Sequence, residues 1–127
     1  MVSKNTYTGM ILRVDLSGRQ IGKESVEESV LRIYVGGTGL GAKYLYENVP
    51  PGIEWNDPRN MMFFGSGPLG GTVGGTGAFS VVTKGPQTNG AVSAQANGFF
   101  GAFLRFSGFD GIIVQGAADD WVYLNIH

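Results

Sequence analysis

GSGPLGGTVGGTGAFSVVTKGP, residues 65 to 86, holds eight glycines, six of them between the apolar run NMMFFG and the strand-like FSVVTK. It contains GxGxxG at Gly65, Gly67 and Gly70. A dinucleotide fold needs a strand before that motif and a helix after it, because amides at the helix N-terminus hold the pyrophosphate. The strand is there in NMMFFG. The helix is not: Pro68 lies inside the motif, and GTVGGTGAFSVV describes a loop running into a strand. About twenty positions on, TKGPQTNGA offers no acidic residue for a ribose. The stretch therefore reads as two strands joined by loops almost bare of side chains, which expose backbone amides and admit a planar or phosphorylated ligand.

Outward from this centre, TGMILRVDL (Thr8 to Leu16), the turn SGRQ and IGKESV predict a hairpin. Ser25 and Glu28 have capping-box spacing, so a short helix is expected over SVLRIYVGG, stopped at Gly36. GTGLGA (Gly37 to Ala42) opens a second helix, AKYLYENV, ended by Pro50 and Pro51; its glycines read as a helix-to-helix turn. Strands are expected at Asn60 to Phe64, Ala78 to Lys84 and Gly90 to Gln95. A helix follows over FFGAFLRFSG, with Gly108 as its cap, and then two strands, GIIVQG and WVYLNIH, joined at a turn through Asp119 and Asp120. This order of elements predicts an α+β, mainly β domain with a few short helices, rather than a doubly wound one. Phe99, Phe100, Phe103, Phe106 and Phe109 recur at mixed three and four spacing and are expected to pack in the core.

Bulk properties exclude several functions. Nine basic and ten acidic residues give no footprint for nucleic acid or a membrane surface. With no cysteine, a disulfide framework, a thiolate metal site and a cysteine nucleophile are all excluded within these residues, and a reducing, cytoplasmic location is expected. Glycine is the outlier at 22 of 127 residues, against a usual share of roughly 7%. Disorder does not account for it, because 43% of the residues are hydrophobic. His127, the only histidine, occupies the last position and is no catalytic candidate.

Five ordered blocks, TGMILRVDLSG, YVGGTGLGAKYLY, GSGPLGGT, FSVVTKGPQT and FFGAFLRFSGFDGIIVQG, carry a resemblance to one family. From about Thr8 to Ile126 the chain resembles the N-terminal domain of the tungsten-dependent aldehyde ferredoxin oxidoreductases. The resemblance implies a saddle of two β-sheets that seats a tungsten (or molybdenum) bis-pterin cofactor, with a magnesium ion bridging the pterin phosphates. It implies later domains of the same polypeptide that supply a 4Fe-4S cluster, an aldehyde substrate oxidised to a carboxylic acid, and ferredoxin as electron acceptor. Residues 1–127 would then form a C-terminally truncated, cofactor-binding piece of the enzyme, inactive alone; a homo-oligomer is left open.

By that similarity two segments lie nearest the cofactor. TGAFS gives Thr76, Gly77, Ala78 and Phe79; family members commonly place a basic residue for a pterin phosphate where this chain has Ala78. Lys84, the amides of Gly77 or Phe79, or groups outside the chain would have to replace that cation. SAQANG gives Ser93, Gln95, Ala96, Asn97 and Gly98. The family's asparagine, whose backbone carbonyl meets the magnesium, corresponds to Gln95 by ungapped spacing or to Asn97 with a two-residue shift. The rival functions are a nucleotide or phosphate module built on Gly37 to Gly41 or Gly65 to Gly70, and a ligand-free β scaffold.

Overall fold

A computed structural model describes residues 6–127. The strands are β1 (Met10–Asp15), β2 (Gln20–Ser25), β3 (Met61–Ser66), β4 (Phe79–Lys84), β5 (Ala91–Ala96) and β6 (Gly111–Gln115). The helices are α1 (Glu28–Tyr34), α2 (Gly37–Asn48) and α3 (Phe100–Phe106). The α+β, mainly β class holds. The two sheets of the expected saddle do not: the described strands form one six-stranded sheet, ordered β2-β1-β6-β3-β4-β5. The reason is β6, which pairs in parallel with β1 on one side and antiparallel with β3 on the other, so it welds both strand groups into a single ladder.

The central strands are apolar on both faces because both are covered near the middle of the sheet, which explains the near-continuous runs MMFF and GIIV. On one face Ile11, Met61, Phe63, Val82 and Ile113 pack under α1 and α2, through Leu31, Leu40, Tyr44 and Leu45. On the other, Leu12, Val14 and Ile112 meet Leu104 of α3 and Phe109. Phe63 is fully buried, and a Cβ at Gly41, Gly65 or Gly111 would run into its ring. Some of the glycine excess is therefore room for one aromatic side chain.

Three local expectations are corrected. Ser25 caps nothing: it ends β2 opposite Met10, the Val26 amide extends that pairing to the Gly9 carbonyl, and α1 starts late, with Glu27 at the cap and no side-chain cap bond. WVYLNIH is not a strand, since both edges of β6 are already taken and no hairpin partner is left for it; Asp119 and Asp120 accordingly join no pair of strands. The aromatic run is only partly core. Phe109 is buried, whereas Phe99, Phe103 and Phe106 are 77%, 62% and 67% exposed.

Two polar clusters fix the frame. Asp110, 2% exposed, accepts from the amides of Thr8 (3.0 Å) and Gly9 (2.7 Å) and from Arg105 Nη1 (2.7 Å), while Arg105 Nη2 donates to the Thr6 carbonyl. That cluster joins the segment before β1 to the end of α3. On the opposite side, Tyr44 donates its hydroxyl to Glu24 at 3.0 Å, Arg13 pairs with Glu24, and Arg13 Nη2 reaches Asn48 at 3.1 Å. Burial, and then the neighbouring Glu24 charge, push the Tyr44 phenol well above its ordinary range.

A neutral groove walled by main chain

The groove starts where α1 gives way to α2. Val35 has φ 65° and ψ −49°, and the Gly36 amide donates to the Tyr34 carbonyl at 2.7 Å. This is a γ-turn of the rare, positive-φ kind, held at a β-branched residue at a cost of roughly 1–3 kcal/mol. Gly36 (φ 146°) continues the turn, and a Cβ there would stand 2.9 Å from the Ser66 carbonyl oxygen. Only glycine lets the first turn of α2 come down onto the ends of β3 and β4.

A groove of about 370 Å³ results. Val35 to Gly39 form one wall, Gly65, Gly67 and Pro68 the end, Ala78 to Ser80 the floor, and Gln95 the far side. The hydroxyls of Thr38, Ser80 and Ser93 link α2, β4 and β5 beside it: Thr38 Oγ1 donates to Ser80 at 3.2 Å and lies 2.8 Å from Ser93 Oγ. The amides of Gly39 and Leu40 bond the Gly36 carbonyl, whereas those of Gly37 and Thr38 have no partner among the described residues, and no side chain caps α2. No charged residue lines the groove. It can offer a ligand main-chain donors, hydroxyls, one amide side chain and the positive end of the longest helix.

The structure sorts the expected site residues. Ala78, Phe79 and Gln95 line this groove together, and Gln95 stands opposite Ser80 across the β4–β5 ladder. Ser93 touches its margin through Thr38. Thr76 is engaged elsewhere, donating to the Val73 carbonyl at 2.6 Å and accepting from the Gly71 amide. Gly77 packs main chain against main chain: its carbonyl accepts from the Gly101 amide, and a Cβ on it would collide with the Gly98 carbonyl. Ala96 ends β5, and Asn97 and Gly98 follow in the exposed link to α3. Lys84 does not stand in for the cation missing at Ala78. It sits at the other end of β4, about 20 Å away along the strand, with its ammonium on the Ile53 carbonyl.

Sequence reasoning missed the wall from Val35 to Gly39 as a partner of the β4 and β5 residues; the two glycine stretches, Gly36–Gly39 and Gly65–Gly67, were visible separately but not their contact. A larger depression, about 450 Å³, lies on the α3 side of the sheet between Trp55, Met62, Phe64 and Val122. It is mainly apolar side chain and holds none of the residues singled out. The nucleotide-module rival loses its context, since β3 is followed by a loop over residues 67–78 and Gly37–Gly41 begin a helix that succeeds another helix. Among the described residues no cluster of His, Cys, Asp or Glu is set to hold a metal ion. No described helix is long and apolar enough to cross a membrane.

Fold and groove together define a mainly β domain with one open, uncharged concavity built from backbone. Residues 11–127 match the family described as "Aldehyde ferredoxin oxidoreductase, N-terminal domain", and the chain belongs to that family. A tungsten-containing aldehyde ferredoxin oxidoreductase of Pyrococcus abyssi is 40% identical over 122 residues, which is 95% of this chain and 20% of that protein. An aliphatic sulfonate oxidoreductase, WOR-like subunit, of Pyrococcus furiosus is 36% identical over 95% of this chain and 20% of its own. Among solved structures, the active site complex BamBC of benzoyl coenzyme A reductase with 1,5-dienoyl-CoA superposes with a TM-score of 0.92 at 35% identity, over 95% of this chain and 19% of that one. The chain thus spans about a fifth of the length of these relatives.

Proposed function

We propose that the groove is part of the floor for a tungsten (or molybdenum) bis-pterin cofactor in a longer oxidoreductase that oxidises aldehydes to carboxylic acids and passes electrons to ferredoxin. The observation that carries this is the open concavity of glycine main chain between α2, β3, β4 and β5. A Cβ at Gly67 would meet nothing within 4 Å, so the opening there is free space kept by sequence and not a packing contact. Bound, the group would supply the redox chemistry, and this domain binding and orientation.

Within that reading each part has a task. The free amides of Gly37 and Thr38, with the α2 dipole behind them, favour an anionic group. The hydroxyls of Thr38, Ser80 and Ser93 are held in a chain that can turn donors or acceptors toward a ligand edge. Gln95, or Asn97 beyond the strand, would give a backbone carbonyl to a magnesium ion; Gln95 is favoured, as it faces the groove. The cluster, the electron acceptor and the substrate contacts belong to polypeptide outside residues 1–127. The relatives act on different substrates by name, so this domain does not fix the substrate.

Expression of the full-length polypeptide in an anaerobic host supplied with tungstate tests the reading, by metal analysis together with fluorescence of oxidised pterin. Tungsten or molybdenum with pterin is expected, and restoring a cation by Ala78→Arg should slow cofactor loss on dialysis several-fold. Purified enzyme with neither metal nor pterin under any supply would contradict it.

A further inference from the structure

The chain holds two Asn-Gly pairs, Asn89–Gly90 and Asn97–Gly98, and the fold treats them oppositely. Asparagine is a thermolabile residue, and before glycine it can close on itself: with no Cβ in the way, the following amide nitrogen swings onto the side-chain carbonyl carbon. At Asn89 that swing is blocked. Its Nδ2 donates to the Ile53 carbonyl at 3.1 Å and its Oδ1 is sealed from solvent. The attacking nitrogen, the Gly90 amide, is engaged by Thr88 Oγ1 at 3.3 Å, while the Gly90 carbonyl holds the Gly85 amide at 2.9 Å. Asn97 has none of these ties. It follows the last residue of β5 in the exposed link to α3, and neither its side chain nor the Gly98 amide has a hydrogen-bond partner among the described residues.

We propose that Asn97 is a self-modification site, converting through a cyclic imide to isoaspartate and aspartate in protein free of cofactor, and that the conversion loosens the groove floor. The Gly98 nitrogen gives its proton to solvent and bonds Asn97 Cγ; the Cγ–Nδ2 bond breaks, and ammonia leaves with a proton from solvent. Water then opens the ring at either carbonyl, so no oxidant or reductant takes part. Opening at the main-chain carbonyl gives isoaspartate, which lengthens the main chain by one C–C bond, about 1.5 Å, directly before Gly98. The Gly98 carbonyl stands so close to Gly77 that a Cβ on Gly77 would collide with it. Gly77 in turn holds the first turn of α3 through the Gly101 amide at 3.0 Å and precedes Ala78 of the floor. One added bond therefore pushes on the junction of β4, α3 and groove. The new carboxylate also appears two residues from Gln95, beside a groove with no charge of its own, and opposes an anionic ligand; that last effect alone rests on the cofactor reading.

Full-length polypeptide expressed without tungstate, held at mildly alkaline pH and digested at intervals, tests this by mass spectrometry of the two Asn-Gly peptides and by isoaspartyl methyltransferase labelling. Asn97 should convert at least tenfold faster than Asn89 in the folded protein, and at nearly the same rate in urea, where the fold no longer shields Asn89. Equal rates in the folded protein overturn the proposal, and so does a ratio that survives in urea, which would assign the difference to neighbouring sequence. In the converted fraction, hydrogen exchange at the Gly101 amide should be several-fold faster than in unconverted protein. Asn97→Gln, whose longer side chain cyclises far more slowly, should show no such change with time. Unchanged exchange at Gly101 after conversion overturns the coupling to the floor. Conversion and loosening in a polypeptide that never takes up pterin would leave this proposal standing and sink the floor reading.

Discussion

The segment Met10–Arg59 and the segment Asn60–Phe109 contribute to the same sheet and differ in nearly everything they show to solvent. The first holds most of the chain's nine basic and ten acidic residues, and its helices carry ordinary surface pairs such as Glu28–Arg32 and Lys43–Glu47. The second shows glycine, small hydroxyls and phenylalanine. Both halves are well packed where they meet, so the contrast is not between folded and loose regions. It separates a charged face from one that is nearly uncharged and rich in aromatics, and the candidate groove lies along the border, with α2 from the first half and β3 to β5 from the second.

Variants that break or sharpen this contrast can be ordered by expected effect. Asp110→Ala strands the Arg105 guanidinium in the interior and frees the segment before β1, so a loss of about 3–5 kcal/mol is expected in urea denaturation. Gly101→Ala thrusts a Cβ at the Ala78 carbonyl and should cost about 1–3 kcal/mol by the same measurement.

Tyr44→Phe deletes the hydrogen bond to Glu24, worth about 1.5–3 kcal/mol near neutrality. Its pH dependence has a definite sign. The folded state raises the Tyr44 phenol above its ordinary 10.0, so that contribution is complete below pH 10 and is lost as pH climbs toward the folded value. Melting curves of the two proteins should therefore converge above pH 10, while a constant gap would show that Tyr44 is not the buried group.

The smallest effect is expected at the exposed Asp57–Arg59 pair. Hydrogen bonds from Arg59 hold the Asp57 carboxyl at about 2, and Arg59→Ala should let it rise toward 3.8 in a carboxyl NMR titration. The pair's contribution is present above the unfolded value and is lost as pH falls through about 2; because the pair is exposed and screened by solvent, its removal should barely move melting even at neutral pH.

Legibility followed the same division of the molecule. The β1–β2 hairpin and strands β3 to β6 were readable because period-two patterns and turn residues are local signals. The misread strand at WVYLNIH failed for a non-local reason, the saturation of both edges of β6. The phenylalanine row was assigned to the core because periodicity reports that a face will be covered and not by what. A better signal was present in the scarcity of charge between Arg59 and Asp110, where only Lys84 and Arg105 are charged, which sets this surface apart from an ordinary solvated one. At the site, Ala78, Phe79 and Gln95 were reachable from family similarity, but the Val35 γ-turn and its contact with β3 needed coordinates. No sequence rule places a strained turn at valine.

Gly67→Phe in the full-length enzyme tests the central claim most directly, because Gly67 lines the groove and a Cβ there meets nothing within 4 Å. Tungsten and pterin content at least tenfold below wild type, at an unchanged melting temperature, is the predicted result; a full complement of both in the variant would contradict the account.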